Sequence, residues 1–401
     1  MSTLASDTVS KNPDQTEVSS LTEVYINPLY ENIIGVSDLK TPSEANISTA
    51  NVSEYYTSTK DVAKVVRKEM QNRTDTFEVG LQAKEYESQM PYDIVDEALL
   101  HTGNPTEGDY LLWQFGGWNC KISYYDQNDV CYITFQYTIT YYTTKSQEDE
   151  LNIEVKNTLE QLNLDEKSDF EKIKSIYDYI CENIVYDFDN SEDTSYMLKH
   201  TAYAALVNKT AVCQGYATLF YRLSLEASID ARLIPGTSNG SDHGWNIVQL
   251  DEQYYNLDST WDAGKSEYDY FLRCNDHFPK HTRSEEYETE EFNNNYPMST
   301  EDYDVTDDNP PIDNPETQNP FIDVDENEYY YNAVLWAFEN GVTTGSDETH
   351  FNPFDSCTRA QAVTFLWRAN GMPEPSITSN PFIDITSSDY YYKAVLWAFE
   401  K

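Results

Sequence analysis

The chain has 401 residues, 14% of them aromatic with 33 tyrosines, and its 70 acidic against 26 basic residues give a formal net charge of -44. That length exceeds one ordinary core, so two or three domains are expected. Charge of this sign repels phosphate backbones and anionic headgroups, which argues against nucleic-acid or membrane-surface partners. No apolar run reaches the roughly 20 residues needed for membrane insertion as a helix.

Residues 1–55 are rich in Ser, Thr, Asn and acids and read as a disordered or linker segment. The first residues lack the basic and apolar regions of a secretory leader, which leaves a cytoplasmic protein or one whose leader has been removed. Residues 56–150 read as an α+β accessory region. A helix is predicted over Val62–Arg67, a strand over Thr76–Gln82 and a helix over Tyr92–Leu100. Strands follow around Tyr110–Gln114, over Lys121–Tyr125 and from Cys131 to Tyr141, where odd positions face inward. Six cysteines in a chain this long do not make a disulfide framework. Cys120 and Cys131 flank a polar turn and suit either a bridge or two buried free thiols, the second being the expectation.

Over residues 151–283 the pattern sharpens. Ser168-Asp-Phe-Glu171 is a capping box, and Phe170, Ile173, Ile176, Tyr177, Ile180 and Ile184 repeat at helical spacing. A second helix is expected over Tyr196–Val207, before a turn that delivers the chain to Cys213. Ala217, Leu219, Phe220 and Leu223 then place Cys213 at a helix start, where positive partial charge favours a thiolate and free N–H groups can hold an oxyanion. Gly215 would let a substrate backbone approach closely. His243 opens a strand through Leu250, and Tyr254–Asp258 returns beside it, so a hairpin brings Asp258 near His243. A neutral thiol is a poor nucleophile unless an imidazole, oriented by a carboxylate, takes its proton. Cys213, His243 and Asp258 are therefore the candidate nucleophile, general base and acid, and orienting carboxylate.

Val212-Cys-Gln-Gly-Tyr-Ala217, His243-Gly-Trp-Asn246 and Asn256-Leu-Asp-Ser-Thr-Trp-Asp262 resemble the core motifs of the transglutaminase-like superfamily, papain-like in fold. The resemblance runs from about Asp169 to Arg283. It implies the same three roles for Cys213, His243 and Asp258, with Gln214, Gly215, Tyr216, Trp245 and Trp261 lining the substrate site. The usual His-Ala-Trp stands here as His-Gly-Trp. Members of this superfamily crosslink, deamidate or cleave amides through a thioester.

Cys274-Asn-Asp-His277 with His281 has a zinc-like spacing but no evident fourth ligand, so no metal and no cofactor is expected. Asp323–Asn327 lacks the glycine and terminal glutamate of a calcium loop and reads as solvated. Residues 284–318, with acid clusters and Pro310-Pro311, read as an acidic linker. Beyond it Asn319-Pro-Phe-Ile-Asp323 recurs as Asn380-Pro-Phe-Ile-Asp384, and Ala333-Val-Leu-Trp-Ala-Phe-Glu339 as Ala394-Val-Leu-Trp-Ala-Phe-Glu400, which signals stacked modules.

That repeat resembles S-layer homology modules, one whole over 319–379 and a second begun over 380–401. The resemblance implies all-α anchors for anionic cell-wall polysaccharide, with Arg359 at a helix start meeting an acidic group. Gln361 replaces the glutamate common in that motif. An extracellular, wall-attached bacterial protein is implied.

The expected whole is an α+β protein. A helix-borne Cys packs on an antiparallel sheet in a papain-like transglutaminase core, between an α+β N-terminal region and C-terminal all-α modules. The expected activity is amide hydrolysis of a peptide or protein substrate, wall peptides included, through a Cys-His-Asp triad. A protein-crosslinking transglutaminase and a non-catalytic surface binding module with a retained fold are the alternatives.

Overall fold

The computed structural model describes residues 8–10, 18–41, 52, 54–165, 167–304, 319–325, 330–347, 349–377 and 379–401. They divide into two units, Met1–Tyr303 and Asp304–Lys401.

The first unit begins with a six-stranded sheet in the order Thr8–Ser10, Val18–Ile26, Phe115–Gln127, Val130–Tyr141, Thr76–Ala83, Tyr55–Tyr56. Neighbours are antiparallel except the last pair. Ile133, Phe135, Tyr137 and Ile139 alternate onto one face, as strand periodicity requires. Helices Thr59–Gln71 and Met90–Ala98 cover it with Val62, Val66, Met70, Ile94 and Val95. Register sets Cys120 opposite Tyr137 and Cys131 opposite Asp126, and both thiols are free and buried.

Two expectations need correction here. Residues 18–41 are folded: Leu21 and Tyr25 pack on the main cluster while Val24 and Ile26 join Tyr30, Ile34 and Leu39 on the other face. A few apolar residues packed on both faces suffice for a strand, and their polar neighbours hid it. The rest of 1–55, namely 1–7, 11–17, 42–51 and 53, lies outside the described residues. Asp109–Leu112 is a short helix, not a strand, because Leu111 serves one core while Tyr110 and Trp113 serve the next. Lys145–Leu162 is an 18-residue helix without a clear sequence signal, because its charged surface leaves only a narrow buried stripe through Leu151 and Val155.

The helix Asp169–Asn183 carries the capping box read from Ser168 and Glu171. The expected Tyr196–Val207 helix is split into Met197–His200 and Ala202–Leu206, because Thr201 is extended and its hydroxyl caps the second piece. A four-stranded antiparallel sheet follows in the order Gln253–Leu257, Ser241–Leu250, Ala231–Ser238, His281–Arg283. The helix Cys213–Glu226 lies against it, and Leu219, Phe220 and Leu223 share one cluster with Leu233, Val248 and Leu257. Residues 284–303 are not linker. Phe292 is buried beside Trp245 and Ile234, and Tyr296 lies under the Arg232 guanidinium at 4.5 Å. The remainder of that segment, 305–318, lies outside the described residues.

The Arg232 guanidinium also makes two bonds to Asp109, at 2.7 and 2.9 Å, and Asp109 accepts from the Leu233 amide at 3.0 Å. This buried fork fastens the N-terminal region to the four-stranded sheet.

The second unit has helices Tyr331–Glu339, Arg359–Ala369 and Tyr392–Glu400, with Phe321, Val324 and Val334 as a small core. Asp323 accepts from the amides of Phe351 and Asn352. Part of the Asp323–Asn327 cluster lies outside the described residues. Gln361 completes a capping box with Thr358, accepting from its amide at 2.8 Å, so the amide substitutes for the usual glutamate in local structure. Arg359 is exposed at the first position of that helix.

Candidate active site

Cys213 is the first residue of its helix, so its amide belongs to the N–H groups that lack an intrahelical acceptor. Its side chain is buried, with Sγ 3.2 Å from Gln214 Oε1. The same oxygen faces His200 Nδ1 at 3.0 Å. Burial holds the His200 ring well below the usual histidine range, at about 4, so it is a neutral Nδ1–H donor near pH 7.

Strand register explains how His243 and Asp258 meet. Asn246 pairs with Leu257, which sets Asp258 diagonally across from His243 on one face. His243 Nε2 lies 2.7 Å from Asp258 Oδ2. Interaction with Cys213 is also among the causes that raise the pKa of the His243 ring. Asp258 Oδ1 accepts from the amides of Thr260 and Trp261 at 2.9 and 3.2 Å, so the carboxylate also caps Ser259–Asp262. The sequence did not point to a second imidazole here: His281 Nε2 lies 3.1 Å from the same Oδ2. His281 comes from the far edge strand, and no sequence spacing advertises contact across the two intervening strands.

Burial disfavours the charged His243 ring, yet attraction to Cys213 and the hydrogen bonds to Asp258 and Cys213 outweigh it and raise its pKa to about 10. Burial likewise disfavours the Asp258 carboxylate, but donors and positive charge from His243 and His281 bring it to about 2. A thiol, an imidazole and a carboxylate so coupled can transfer a proton from sulfur and return it to a leaving group.

Two recesses flank His243. One, of about 410 Å³, is walled by Leu99, Trp113, Gln214, Asp242 and Tyr287, so the N-terminal region supplies part of the cleft. The other, of about 560 Å³, is lined by Ile184, Tyr186, Phe188 and Trp261, with Phe188 exposed. Among the residues expected to line the site, Gln214 and Trp261 reach these recesses. The others point elsewhere. A Cβ on Gly215 would lie 2.9 Å from the Lys199 carbonyl and 2.6 Å from Ala211 Cβ, so the close approach there is made by the chain itself. Tyr216 is fully buried and donates to the Ile184 carbonyl, and Trp245 is buried behind His243. Gly244 explains the His-Gly-Trp departure: a Cβ there would come within 2.5 Å of the Trp113 ring.

The zinc-like spacing resolves differently from the sequence grouping. Cys274 and His277 gather around Asp302, whose carboxylate is already engaged by Arg273 at 2.8 Å and the Cys274 amide at 2.9 Å, while His281 goes to Asp258. His243, Asp258 and His281 likewise have metal-binding side-chain types, but their facing atoms are spent on one another.

Residues 156–259 match the model of the transglutaminase-like superfamily. The core of this protein is transglutaminase-like. An S-layer homology domain model matches residues 320–363 of the same chain. Kyphoscoliosis peptidase of Mus musculus is 31% identical over 109 residues, which is 24% of this chain and 16% of that protein. The Homo sapiens kyphoscoliosis peptidase is 31% identical over 134 residues, 30% of this chain and 19% of its own. The chain thus spans less than a fifth of the length of the curated relatives it matches. A crystal structure of a TGase is similar at 17% identity with a TM-score of 0.27, over 50% of this chain and 58% of that one. The transglutaminase-like core, mixed α+β, and the helical S-layer homology region together mark an extracellular, cell-wall-associated bacterial protein. Such a domain implies wall-polysaccharide binding in general. Among the described residues, no helix is long and apolar enough to cross a membrane.

Proposed function

We propose that the protein is a cell-surface cysteine acyl-transfer enzyme that hydrolyses amide bonds of peptides or proteins, wall peptides among them. The observation that carries this reading is His243, which lines both recesses, lies 2.7 Å from Asp258 and interacts with Cys213. Cys213, whose proton His243 already holds, attacks the carbonyl carbon, and the helix-start amide of Cys213 would receive the oxyanion. His243 then protonates the departing amine, which leaves a thioester. Water, deprotonated by His243, releases the acid and frees Cys213. Asp258 fixes the ring orientation through both steps. Gln214 and Trp261 take the substrate on either side, and Arg359, exposed on the second unit, contacts the anionic wall polymer.

A crosslinking transglutaminase is the second reading. Asp96, Asp242 and Glu286 bring carboxylates to the first recess, whose Arg232 is already committed to Asp109, and such a wall would gather a cationic amine acceptor.

Incubation with a library of wall peptides and unstructured protein, with and without a biotinylated primary amine, tests both by mass spectrometry. Cleaved or deamidated products that vanish in Cys213→Ala support hydrolysis, and biotin incorporation that vanishes supports crosslinking. Unchanged substrates, or products that persist in Cys213→Ala, reject the enzyme and leave the surface binding module.

A further inference from the structure

The two recesses beside His243 differ in chemistry. Ile184, Val185, Tyr186, Phe188 and Trp261 line the second, Glu182 is the acidic residue in its wall, and no Lys or Arg lines it. The first instead carries Asp96, Asp242 and Glu286. Val185 is 65% exposed and Phe188 is 78% exposed, and among the described residues of the first unit no other large apolar residue is as open to water. Both stand at this one recess, three positions apart in the chain. Between them Tyr186 sets its ring 4.7 Å from that of Phe188, centroid to centroid.

Such exposure on a loose loop would mean little, but this segment is tied down. Val185 and Tyr186 pair with Thr210 and Ala211, the short strand that leads into Cys213. The Asp187 amide donates to the Ala211 carbonyl at 3.0 Å. The buried Asp187 carboxylate accepts from the Asn190 amide at 3.1 Å and from its side chain at 2.9 and 3.0 Å. Lys199, also buried, sets Nζ 2.8 Å from each of the carbonyl oxygens of Asn190, Ser191 and Asp193. An amine gathered on three carbonyls holds the chain that follows Phe188 in one course. A folded chain gains by covering apolar surface, so two open apolar side chains presented on a fixed segment beside the candidate nucleophile are surface left for a ligand to cover.

We propose that the second recess is the acyl-side specificity pocket and selects a substrate with a large apolar or aromatic side chain at or next to the reacting carbonyl. The inference rests on the acyl-transfer reading and deepens it. The acidic residues of the first recess suit the amine side of the substrate, which leaves the apolar recess to the acyl side. Phe188 and Val185 cover the side chain at the rim, and Ile184, Tyr186 and Trp261 meet it within.

N-acetylated amino-acid chloromethyl ketones carrying Phe, Leu, Ala, Lys or Glu side chains test this in the full chain without turnover. Each alkylates Cys213 by displacement of chloride, and peptide mass mapping gives the rate. That rate is divided by the iodoacetamide rate at Cys213 in the same chain and by the reagent's own rate with free cysteine. The Phe and Leu reagents should then exceed the Ala reagent by about tenfold or more, with Lys and Glu no better than Ala. Phe188→Ala and Val185→Ser, both at exposed positions where folding should survive, should each lower that preference. Equal rates across the set, a preference for Lys or Glu, or a Phe preference untouched by both substitutions overturns the proposal. The acyl-transfer reading fails separately, if iodoacetamide labels Cys213 no faster than the other cysteines. In that case N-acetylphenylalaninamide and N-acetylalaninamide are titrated in parallel while the Trp261 indole N–H is followed by ¹⁵N NMR. A shift with the Phe amide alone keeps the apolar pocket as a binding site, and any other pattern rejects it too.

Discussion

At the scale of single residues, the site turns on how buried groups share charge. Asp258 sits below the ordinary carboxylate range and His243 above the ordinary histidine range, so their pairing has a defined pH window. The Asp258 contribution to stability is present above its unfolded value of roughly 3.9 and is lost as pH falls through about 2. The His243 contribution is complete below its unfolded value of roughly 6.5 and is lost as pH rises through about 10. Urea unfolding from pH 3 to 10 should therefore show the excess stability of the native chain over His243→Ala greatest between about pH 4 and 6.5, declining on both sides. A difference that grew steadily toward pH 10 would contradict the assigned partners. Gly244 belongs to this scale too. The motif lost its usual alanine because Trp113, over a hundred residues earlier, occupies the space of that methyl group.

At the scale of elements, the helix Cys213–Glu226 and the hairpin of Ser241–Leu250 with Gln253–Leu257 could be placed from local pattern alone. Capping, helical apolar spacing and a short turn are local physics, and they suffice to bring His243 beside Asp258. The elements whose register depends on distant partners were not legible. Val18–Ile26 is held by Phe115–Gln127, and Asp109–Leu112 is shaped by Arg232 and two separate cores. The Arg232–Asp109 fork is a buried polar fastening between the N-terminal region and the four-stranded sheet. Asp109→Ala would leave a buried guanidinium without its partner and should cost about 3–5 kcal/mol in chemical denaturation. A loss below 1 kcal/mol would show that the cation–π contacts to Tyr296 and Phe292 suffice on their own.

At the scale of the whole molecule, the two units have separate cores, Met1–Tyr303 around the cleft and Asp304–Lys401 around Phe321 and Val334. A chain ending at Tyr303 should therefore keep iodoacetamide labelling of Cys213 at the native rate while losing co-sedimentation with purified wall polysaccharide. Retained sedimentation would move the anchoring function into the first unit. The sequence by itself determined the mixed α+β class, the Cys-His-Asp constellation and the repeated C-terminal helices, because each is written in contacts between residues near in the chain. Tertiary structure alone decided the folding of residues 18–41 and 284–303, the inward packing of Gly215, Tyr216 and Trp245, and the second imidazole on Asp258. Those follow from which surfaces meet across strands and cores, and composition and spacing do not encode that pairing residue by residue.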